Sequence, residues 1–364
     1  MIKKLKLKNF RRFKNLELNF DSNIVILHGD NAQGKSSILE AIHIISNGKS
    51  PWSGTDEYVH NNQDGITKHS RIEIQTDINS YSHYKDDNKK IYIIDEHKTT
   101  SKKFFSQNSA TIFNPEKIDL LMLSPTRRRD FLDETISYTN YEYPYTLTTF
   151  KKLIRQRNSH LKKLSKQFYE RGIIARNDPQ LNFWTKQFIE LSSQIYKERI
   201  DIINKFETEN FQLQYIFCKK DLDKIIKIYK DTEKTESLLT DIFEKNKKRD
   251  IATGYTNIGP HRDDWNIFTD QDIKKYGSRG QKRVAIGNLI FTAHDIIAQE
   301  LGYYPTLLLD DIVSELDKEN TKEILKEDVL DKQQTFITTT DPKVLPKSIL
   351  SNAQLINLND IKNP

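Results

Sequence analysis

The hydrophobic pattern at the start of the chain predicts β-structure. Apolar and polar positions alternate over residues 2–20, on both sides of the polar segment FRRFKN. Alternation of this kind is typical of half-buried strands, and two such runs around a short polar turn predict an antiparallel hairpin. The following run, IVIL at residues 24–27, has no polar position. A strand without a polar face is covered on both sides, so this run predicts a strand inside a sheet that is layered by helices.

Helical spacing replaces this alternation after Lys35 and again in the middle of the chain. Ile38, Ile42 and Ile45 recur at steps of three and four residues, which predicts an amphipathic helix. Two longer runs have the same spacing, and the second is interrupted at Arg199. Their apolar positions are Phe150, Leu153, Leu161, Leu164 and Phe168, and then Trp184, Phe188, Leu191, Ile195, Ile202 and Phe206. The middle of the chain therefore predicts a lobe of long amphipathic helices.

Strand-like segments flank this helical region. Short apolar pieces among Asn, Asp, Ser and Lys between residues 50 and 110 predict an exposed β region. Strands return near Thr256, at residues 306–309 and at residues 335–338. Strands before and after an inserted helical lobe place the chain in the α/β class.

Charge and cysteine content narrow the class of protein. The 364 residues include 57 Lys and Arg against 51 Asp and Glu, a formal net charge of +6, and one cysteine, Cys218. A single cysteine excludes an intrachain disulfide, and the sequence has no apolar run of membrane-spanning length. We therefore expect a soluble cytoplasmic protein with no membrane partner.

Basic residues are concentrated at the first strand, in RRR at residues 127–129 and in KKLIRQRNSHLKKLSK at residues 151–166. Such clusters attract phosphate, but a solvated helix face has the same composition. The RRR cluster has a further explanation, because acidic residues follow it on the same predicted helix and could pair with it. Composition alone therefore does not assign phosphate-contacting residues.

The segment GDNAQGKSS follows the buried strand and precedes the first predicted helix. It matches the pattern G-x-x-x-x-G-K-[ST] in the strand–loop–helix context that this pattern requires. Glycines let backbone N–H groups surround an anion, the helix N-terminus adds positive charge, and the lysine reaches the β- and γ-phosphates. The residues expected to bind a nucleoside triphosphate are Gly29, Asp30, Asn31, Ala32, Gln33, Gly34, Lys35, Ser36 and Ser37.

A second buried strand, LLL at residues 307–309, ends in two acidic residues. Mg²⁺ binds oxygen ligands, and the hydroxyl of Ser36 and the carboxylate of Asp310 would supply two of them. Asp311 follows at the exit of the strand, where we expect it to polarise the attacking water. The sequence thus predicts a magnesium nucleotide site with Lys35 and Asp311 as its catalytic residues.

The segment GSRGQKR at residues 277–283 precedes another helix. A serine hydroxyl and glycine N–H groups at a helix start form an anion-binding nest, although an ordinary helix cap at Ser278 gives the same pattern. In order and spacing, the segment resembles the S-G-G-Q signature of ATP-binding-cassette (ABC) ATPases, whose signature loop contacts the γ-phosphate held by the other subunit. The resemblance implies that Ser278, Arg279, Gly280 and Gln281 act in trans.

Beyond these motifs, the sequence resembles the RecF family of bacterial replication and recombinational-repair ATPases over nearly its whole length. The matching blocks are LKLKNFRRFKNLEL, GDNAQGKSSILEAI, FNPEKIDLLMLSPTRRRDFLDETI, KKLIRQRN, TNIGPHRDD, GSRGQKR, LLLDDIVSELD and FITTT. RRRDFLD, GPHRDD and DDIVSELD are the most diagnostic, because nucleotide binding in general does not require them. The resemblance implies a P-loop, ABC-type ATPase head similar to those of Rad50 and SMC proteins, with a helical second lobe and no long coiled coil.

The resemblance also implies a domain division and a set of partners. An ATP-binding lobe would be formed by residues 1–120 and 251–364, with the helical lobe at residues 121–250. Such a protein is a weak, DNA-dependent ATPase that binds ATP and Mg²⁺ and forms an ATP-dependent homodimer. It engages double-stranded DNA or single-strand/duplex junctions, works with RecR and RecO to load recombinase at gaps, and is nucleoid-associated. Ser314 and Asp317 would belong to the D-loop that links the two nucleotide sites.

Three alternatives remain open from the sequence. Another SMC/Rad50-like or ABC-type ATPase with a different partner would share these motifs. A transporter motor subunit would have a switch histidine where FITTT has threonines, and a P-loop kinase would leave GSRGQ and SELD without a role. After the first predicted helix, the segment Ser50-Pro51-Trp52 lacks the basic residue that is usual in the family near there. We interpret His261 in GPHRDD as a hydrogen-bonded structural corner.

Overall fold

The computed structural model describes residues 1–52, 69–106, 108–172, 178–208, 211–311, 321, 325 and 330–361. The chain divides into two compact units. The first unit consists of Met1–Asp119 and Ile286–Pro364, and the second is Leu120–Ala285. Within the described ranges, every helix is too short or too polar to span a bilayer.

The secondary structure follows the alternating and helical patterns of the sequence. The β-strands are β1 (Ile2–Phe10), β2 (Phe13–Asn19), β3 (Ile24–His28), β4 (His69–Thr76), β5 (Ser80–Asp86), β6 (Lys90–Ile94), β7 (His97–Thr99), β8 (Ala110–Phe113), β9 (Gln212–Ile216), β10 (Asp264–Phe268), β11 (Thr306–Leu309), β12 (Thr335–Thr339) and β13 (Ala353–Asn357). The α-helices are α1 (Lys35–Asn47), α2 (Ser101–Phe105), α3 (Pro115–Ile118), α4 (Pro125–Thr139), α5 (Tyr143–Arg171), α6 (Pro179–Lys205), α7 (Ile225–Ile228), α8 (Thr232–Thr253), α9 (Ile273–Tyr276), α10 (Arg279–Leu301) and α11 (Lys347–Asn352).

The first unit contains two sheets. One is antiparallel, in the order β2-β1-β4-β5-β6-β7, and begins with the predicted hairpin, in which Leu7 lies opposite Leu16. The other is parallel, in the order β13-β3-β12-β11-β8. The strands predicted at residues 24–27, 306–309 and 335–338 are confirmed as β3, β11 and β12.

Helix α1 joins the two sheets of the first unit through one hydrophobic core. Its residues Ile38, Leu39 and Ile42 are fully buried in a cluster that also contains Leu5 of β1 and Val25 of β3. Because a layer of strands lies against more than one side of α1, this helix is apolar over more of its circumference than an ordinary surface helix. The phosphate-loop segment that precedes α1 is therefore anchored at a rigid helix.

The polar residues that follow the parallel strands meet at one edge of the parallel sheet. β12 lies between β3 and β11 and is parallel to both. The carboxyl ends of these three strands therefore reach the same edge of the sheet, which is where ligands of open α/β sheets bind. The residues that follow β3 and β11, far apart in the sequence, become neighbours there.

The second unit consists mainly of helices, as predicted. α5 packs against α6 and α8, and Phe150, Phe188 and Phe243 form ring contacts in its interior. The interruption of the apolar pattern at Arg199 does not break α6, which runs continuously through this residue. Arg199 lies on the buried side of the helix, where its guanidinium forms two hydrogen bonds with the carboxylate of Asp133 at 2.8 and 2.9 Å.

Two details of the predicted organisation differ from the structure. The segment near Thr256 is a turn, and the strand of this region, β10, begins at Asp264. Contacts also group residues 251–285 with the helical unit, although the sequence suggested the ATP-binding lobe from residue 251 onward. The reason is that β10 pairs with β9 and contacts α4, so its partners all belong to the second unit.

Candidate nucleotide-binding site

The loop between β3 and α1 has glycines where only glycine fits easily. Gly29 has φ 138° and Gly34 has φ 93°, backbone angles that other residues rarely adopt. A Cβ atom on Gly34 would also lie 2.5 Å from Cζ of Phe13 and 2.8 Å from Cδ of Arg12. The tip of the β1–β2 hairpin therefore packs directly on the loop, and it brings Arg12, which the sequence analysis did not single out, to the same place.

Lys35 is the first residue of α1, and its side chain turns back over the loop. Its Nζ donates hydrogen bonds to the carbonyl oxygens of Gly29 at 2.6 Å and of Asp30 at 2.8 Å. Burial lowers the pKa of this ammonium group, and the nearby carboxylates of Asp311 and Asp310 act in the opposite direction. The loop thus holds a positive charge beside its backbone N–H groups, which is the arrangement that binds phosphates.

Ser36 and Asp310 bring a hydroxyl and a carboxylate together at the edge of the parallel sheet. Oγ of Ser36 donates a hydrogen bond to Oδ1 of Asp310 over 2.9 Å. Burial raises the pKa of Asp310, while the hydrogen bonds from Thr338 and Ser36 lower it and leave a net upward shift. Adjacent hydroxyl and carboxylate oxygens are the ligands that Mg²⁺ takes in phosphate sites. These two residues fit the ion that the sequence predicted for them.

Thr338 connects the two acidic residues, a role that the sequence analysis did not assign to it. Its Oγ1 donates to Oδ1 of Asp310 at 2.7 Å and accepts from the backbone N–H of Asp311 at 2.9 Å. Asp311 itself has φ 47°, in the left-handed region, so the chain turns sharply as it leaves β11. The available signal in the sequence was the threonine run of FITTT at the end of an apolar strand.

Asn359 closes the loop from the C-terminal side. Its Oδ1 accepts a hydrogen bond from the backbone N–H of Asp30 at 3.1 Å, and a Cβ atom on Gly29 would lie 3.0 Å from the same oxygen. This contact exists because β13 pairs with β3 and carries the following residues to the loop. No sequence pattern identified Asn359, since the two bonded residues are 329 positions apart.

The predicted signature segment forms the start of α10. Ser278 and Gln281 make a reciprocal capping box: Oγ of Ser278 accepts from the N–H of Gln281 at 3.3 Å, and Oε1 of Gln281 accepts from the N–H of Ser278 at 2.8 Å. Both residues, together with Arg279 and Gly280, are exposed. The helix-cap explanation therefore holds for the Ser278 acceptor oxygen, while its O–H proton stays available to another acceptor.

The two glycines of the signature segment differ in what surrounds them. A Cβ atom on Gly277 would lie 2.6 Å from the carbonyl oxygen of Ile273, so local packing requires glycine there. A Cβ atom on Gly280 would meet nothing within 4 Å in the described part of the chain. Glycine inside a helix costs about 1 kcal/mol relative to alanine, so the first turn of α10 bears a cost that nothing in its own surroundings explains.

The structure therefore brings part of the predicted site together. Lys35, Ser36, Asp310 and Asp311 all belong to the first unit and surround the phosphate loop. The signature residues Ser278, Arg279, Gly280 and Gln281 belong to the second unit. Ser314 and Asp317, predicted for the D-loop, lie outside the described residues.

The diagnostic blocks RRRDFLD and GPHRDD bind each other in the second unit. The guanidinium of Arg128 forms two hydrogen bonds with the carboxylate of Asp264 at 2.7 and 2.8 Å, and Arg129 donates to the carbonyl oxygen of Asp263 at 2.6 Å. Pairing with acidic residues of the same helix, which the sequence analysis considered for the RRR cluster, is therefore not the main role of Arg128 and Arg129. Their partners lie more than 130 residues away, which sequence spacing could not indicate.

His261 has a structural environment. Its Nε2 lies 3.2 Å from the carbonyl oxygen of Thr256, and because a carbonyl only accepts, Nε2 carries the proton. The ring makes edge contacts with Phe150 and Phe188. Burial lowers the pKa of His261 to about 4, so the ring is neutral at physiological pH. These contacts agree with the interpretation of GPHRDD as a hydrogen-bonded corner.

A parallel sheet with a phosphate loop, a hydroxyl–carboxylate pair at its edge and an attached helical unit define a P-loop ATPase head of the ABC type. Residues 1–359 match the family model described as "RecF/RecN/SMC N terminal domain". The chain belongs to the RecF family. This membership removes the transporter motor and the P-loop kinase as alternatives.

Known relatives match over nearly their full lengths. The DNA replication and repair protein RecF of Clostridium kluyveri is 35% identical, covering 97% of this chain and 96% of that protein. RecF of Ruminiclostridium cellulolyticum is 31% identical, covering 98% of this chain and 97% of that protein. The solved structure of the recombination mediator protein RecF-ATPrS in the RecFOR pathway has a TM-score of 0.79 at 28% identity, covering 95% of this chain and 94% of that chain.

Proposed function

We propose that this protein is an ATP-dependent DNA-binding protein of replication and recombinational repair. In this proposal it binds ATP and Mg²⁺, dimerises with two nucleotides between its subunits, and hydrolyses ATP slowly as a switch. It acts on double-stranded DNA or single-strand/duplex junctions in the cytoplasm, associated with the nucleoid. Together with RecR and RecO, it aids recombinase loading at gaps. The names of the relatives, DNA replication and repair proteins, support this assignment.

The observation that carries the proposal is the Ser36–Asp310 contact of 2.9 Å beside the phosphate loop. In the proposed complex, residues 29–37 surround the phosphates of ATP, and Ser36 and Asp310 hold Mg²⁺. The ion supplies positive charge that stabilises the transferring phosphoryl group. Two solved structures, RecF-ATPrS and RecF-ATP, support ATP as the nucleotide.

The remaining residues would act on the reaction itself. Lys35 neutralises developing charge on the β- and γ-phosphates, and Asp311 orients and polarises the attacking water. The hydrogen bond from the Asp311 N–H to Thr338 holds the turn in which this carboxylate sits, so the carboxylate is positioned before ATP arrives. A preorganised charge of this kind is more effective than one that must be reoriented during the reaction.

Dimerisation would complete each site, because the γ-phosphate would be contacted by the signature segment of the other subunit. Exposed Ser278 supplies an O–H donor, and the N–H groups at the start of α10 supply further donors. Gly280 fits this arrangement, since its missing Cβ, which local packing does not require, allows a phosphate to approach the backbone closely. Ser314 and Asp317 are proposed for the D-loop between the two sites.

Sedimentation velocity with and without ATP and a gapped duplex tests the two-chain site. Ser278→Arg should bind ATP as a monomer and fail to dimerise, because a large cation blocks the phosphate approach. Gly280→Ala should also bind ATP as a monomer and fail to dimerise. Because alanine favours the helix by about 1 kcal/mol relative to glycine, this loss of dimerisation could not result from unfolding.

Thr269→Arg is the matched control, because Thr269 is an exposed residue of the same unit outside the signature segment. It should dimerise with ATP like the wild type. If Ser278→Arg or Gly280→Ala still forms the ATP-dependent dimer, the signature does not act in trans. If the wild type stays monomeric with ATP and DNA, the proposed clamp is wrong.

A further inference from the structure

Helix α5 exposes basic side chains and very few acids. Between Tyr143 and Tyr169 the sequence has no Asp or Glu. The apolar residues Phe150, Leu153, Leu161 and Leu164 are buried against the rest of the second unit. The exposed basic residues, called here the α5 cationic face, are Lys151, Lys152, Arg155, Lys162, Lys163 and Lys166.

The α5 cationic face is a continuous strip rather than a scatter of charges. At 3.6 residues per turn, Lys151, Arg155, Lys162 and Lys166 project within about 60° of one another, and the two other lysines extend the arc to about 120°. From Lys151 to Lys166 the strip is about 22 Å long at 1.5 Å per residue. That length corresponds to roughly six or seven base pairs at 3.4 Å each.

Three of the six cations in this strip interact with other groups of the protein, and one of these is Lys151, whose charge acts on Asp130. Lys166 forms a 3.6 Å ion pair with exposed Glu170, which contributes little, and Lys162 lies over the ring of Tyr255 at 5.0 Å. Across the described ranges, Lys152, Arg155 and Lys163 make no ion pair. Like charges at neighbouring positions of a helix repel one another. An anion bound to this strip would relieve that repulsion and would also be attracted by each cation.

Other long helices of the same unit do not share this pattern. α6 carries Glu190, Glu198 and Asp201 among its lysines, and α8 likewise mixes acids with bases. Mixed charge is what solubility alone would produce on a helix surface. The one-sided charge of α5 therefore points to an anionic ligand, and the length of the strip suits an extended phosphate backbone.

Resting on the proposed function, we propose that the α5 cationic face binds the phosphate backbone of double-stranded DNA. The six side chains would contact phosphates without reading bases, so they would position the duplex and leave sequence unread. Release of counterions from the DNA would drive much of this binding. An anionic membrane could attract the same charges, but Phe150, Leu153, Leu161 and Leu164 of α5 are buried and cannot enter a bilayer.

The test is the salt dependence of duplex binding, measured by fluorescence anisotropy with ATP present. We compare the wild type with the triple variant Lys152→Gln, Arg155→Gln and Lys163→Gln. Each lost phosphate contact reduces the slope of log K against log[salt] by about 0.9, so the triple variant should be less steep by about 2.7. At 0.15 M salt the same relation predicts roughly a hundredfold loss of affinity.

The matched control removes three lysines from α6, with Lys186→Gln, Lys197→Gln and Lys205→Gln, and should bind like the wild type. A second variant, Lys152→Arg with Lys163→Arg, keeps the charge and should retain both slope and affinity. ATP binding and ATP-dependent dimerisation should be unchanged in all three variants, because none alters the nucleotide site.

The possible outcomes separate this inference from the proposed function. If the wild type shows a steep slope that the α5 triple variant keeps, or that the α6 control loses equally, the α5 assignment is overturned while the proposed function stands. A wild type that dimerises with ATP but binds no duplex overturns both. Binding to phosphatidylglycerol vesicles that is lost in the triple variant, with duplex binding unchanged, would assign the face to lipid instead.

Discussion

Oγ of Ser36 lies 2.9 Å from Oδ1 of Asp310, and the hydrogen bond between them joins two residues that are 274 positions apart in the sequence. Ser36 is in the first turn of α1, and Asp310 directly follows β11. They meet because β3 and β11 are parallel and both flank β12, so the residues after these strands share one edge of the sheet.

Replacing Lys35 with alanine should abolish nucleotide binding for practical purposes. The substitution removes the ammonium group that faces the phosphate site and also frees the carbonyl oxygens of Gly29 and Asp30. Loss of charged hydrogen bonds of this type weakens binding by roughly a hundredfold or more. Isothermal titration with ATP and Mg²⁺ measures the effect. Lys49→Ala, at an exposed lysine beyond the other end of α1, should bind normally, and an unchanged affinity of Lys35→Ala would refute its assigned role.

Thr338→Val should impair both folding and hydrolysis, although the two side chains have nearly the same shape. The change leaves Asp310 without one donor and the N–H of Asp311 without its acceptor, in a fully buried strand. We expect the free energy of unfolding to fall by about 1–3 kcal/mol, with a loss of Mg²⁺-dependent ATP hydrolysis. Urea denaturation and a phosphate-release assay test this. Thr339→Val removes a single hydrogen bond to a carbonyl and should leave hydrolysis unaffected.

Asp311→Asn should accumulate the ATP-bound dimer, because an amide keeps the shape of the carboxylate but does not polarise water. Asparagine tolerates the left-handed φ of 47° at this position, so the fold should be retained. Sedimentation in the presence of ATP should show a persistent dimer, and single-turnover hydrolysis should be slow. Asp87→Asn, in the exposed turn after β5, is the control. Rapid hydrolysis by Asp311→Asn would show that another group positions the water.

We expect the free energy of unfolding of the first unit to decrease at acidic pH because His294 is buried in its neutral form. This residue is 1% exposed, with Nδ1 2.8 Å from Oγ1 of Thr111, and burial lowers its pKa to about 4. An unfolded histidine takes up a proton near pH 6.5, so between about pH 6.5 and 4 the unfolded chain binds more protons than the folded one. Stability present above pH 6.5 is therefore lost as the pH falls, on the order of 3 kcal/mol by pH 4.

Urea denaturation of the wild type and of His294→Gln across this pH window measures the contribution. The glutamine variant should lose part of the acid dependence, because its side chain does not titrate. His97→Gln, at an exposed position in β7, should leave the dependence as in the wild type. Equal acid dependence in His294→Gln and the wild type would exclude His294 as a source.

Local patterns predicted most of the secondary structure near the site, and the reasons are visible in particular residues. Uninterrupted apolar runs predicted β3 and β11 because strands buried on both faces have no polar position. The phosphate loop was recognisable because its requirements are local: glycines at positive φ, then a lysine at a helix start. The interruption of the apolar pattern of α6 at Arg199 shows the limit of this reasoning, since periodicity does not reveal the buried ion pair with Asp133 that replaces an apolar contact.

By itself, the sequence determined which segments form the loop, the acidic strand end and the signature helix, because each depends on neighbours within a few residues. Only the tertiary structure decided that Thr338 bridges Asp310 and Asp311, that Asn359 closes the loop, and that Arg128 and Arg129 bind the GPHRDD turn. These contacts join residues brought together by strand order and helix packing. Hydrogen bonds between distant residues leave no periodicity in the chain, so they become visible only once the sheets and helices are assembled.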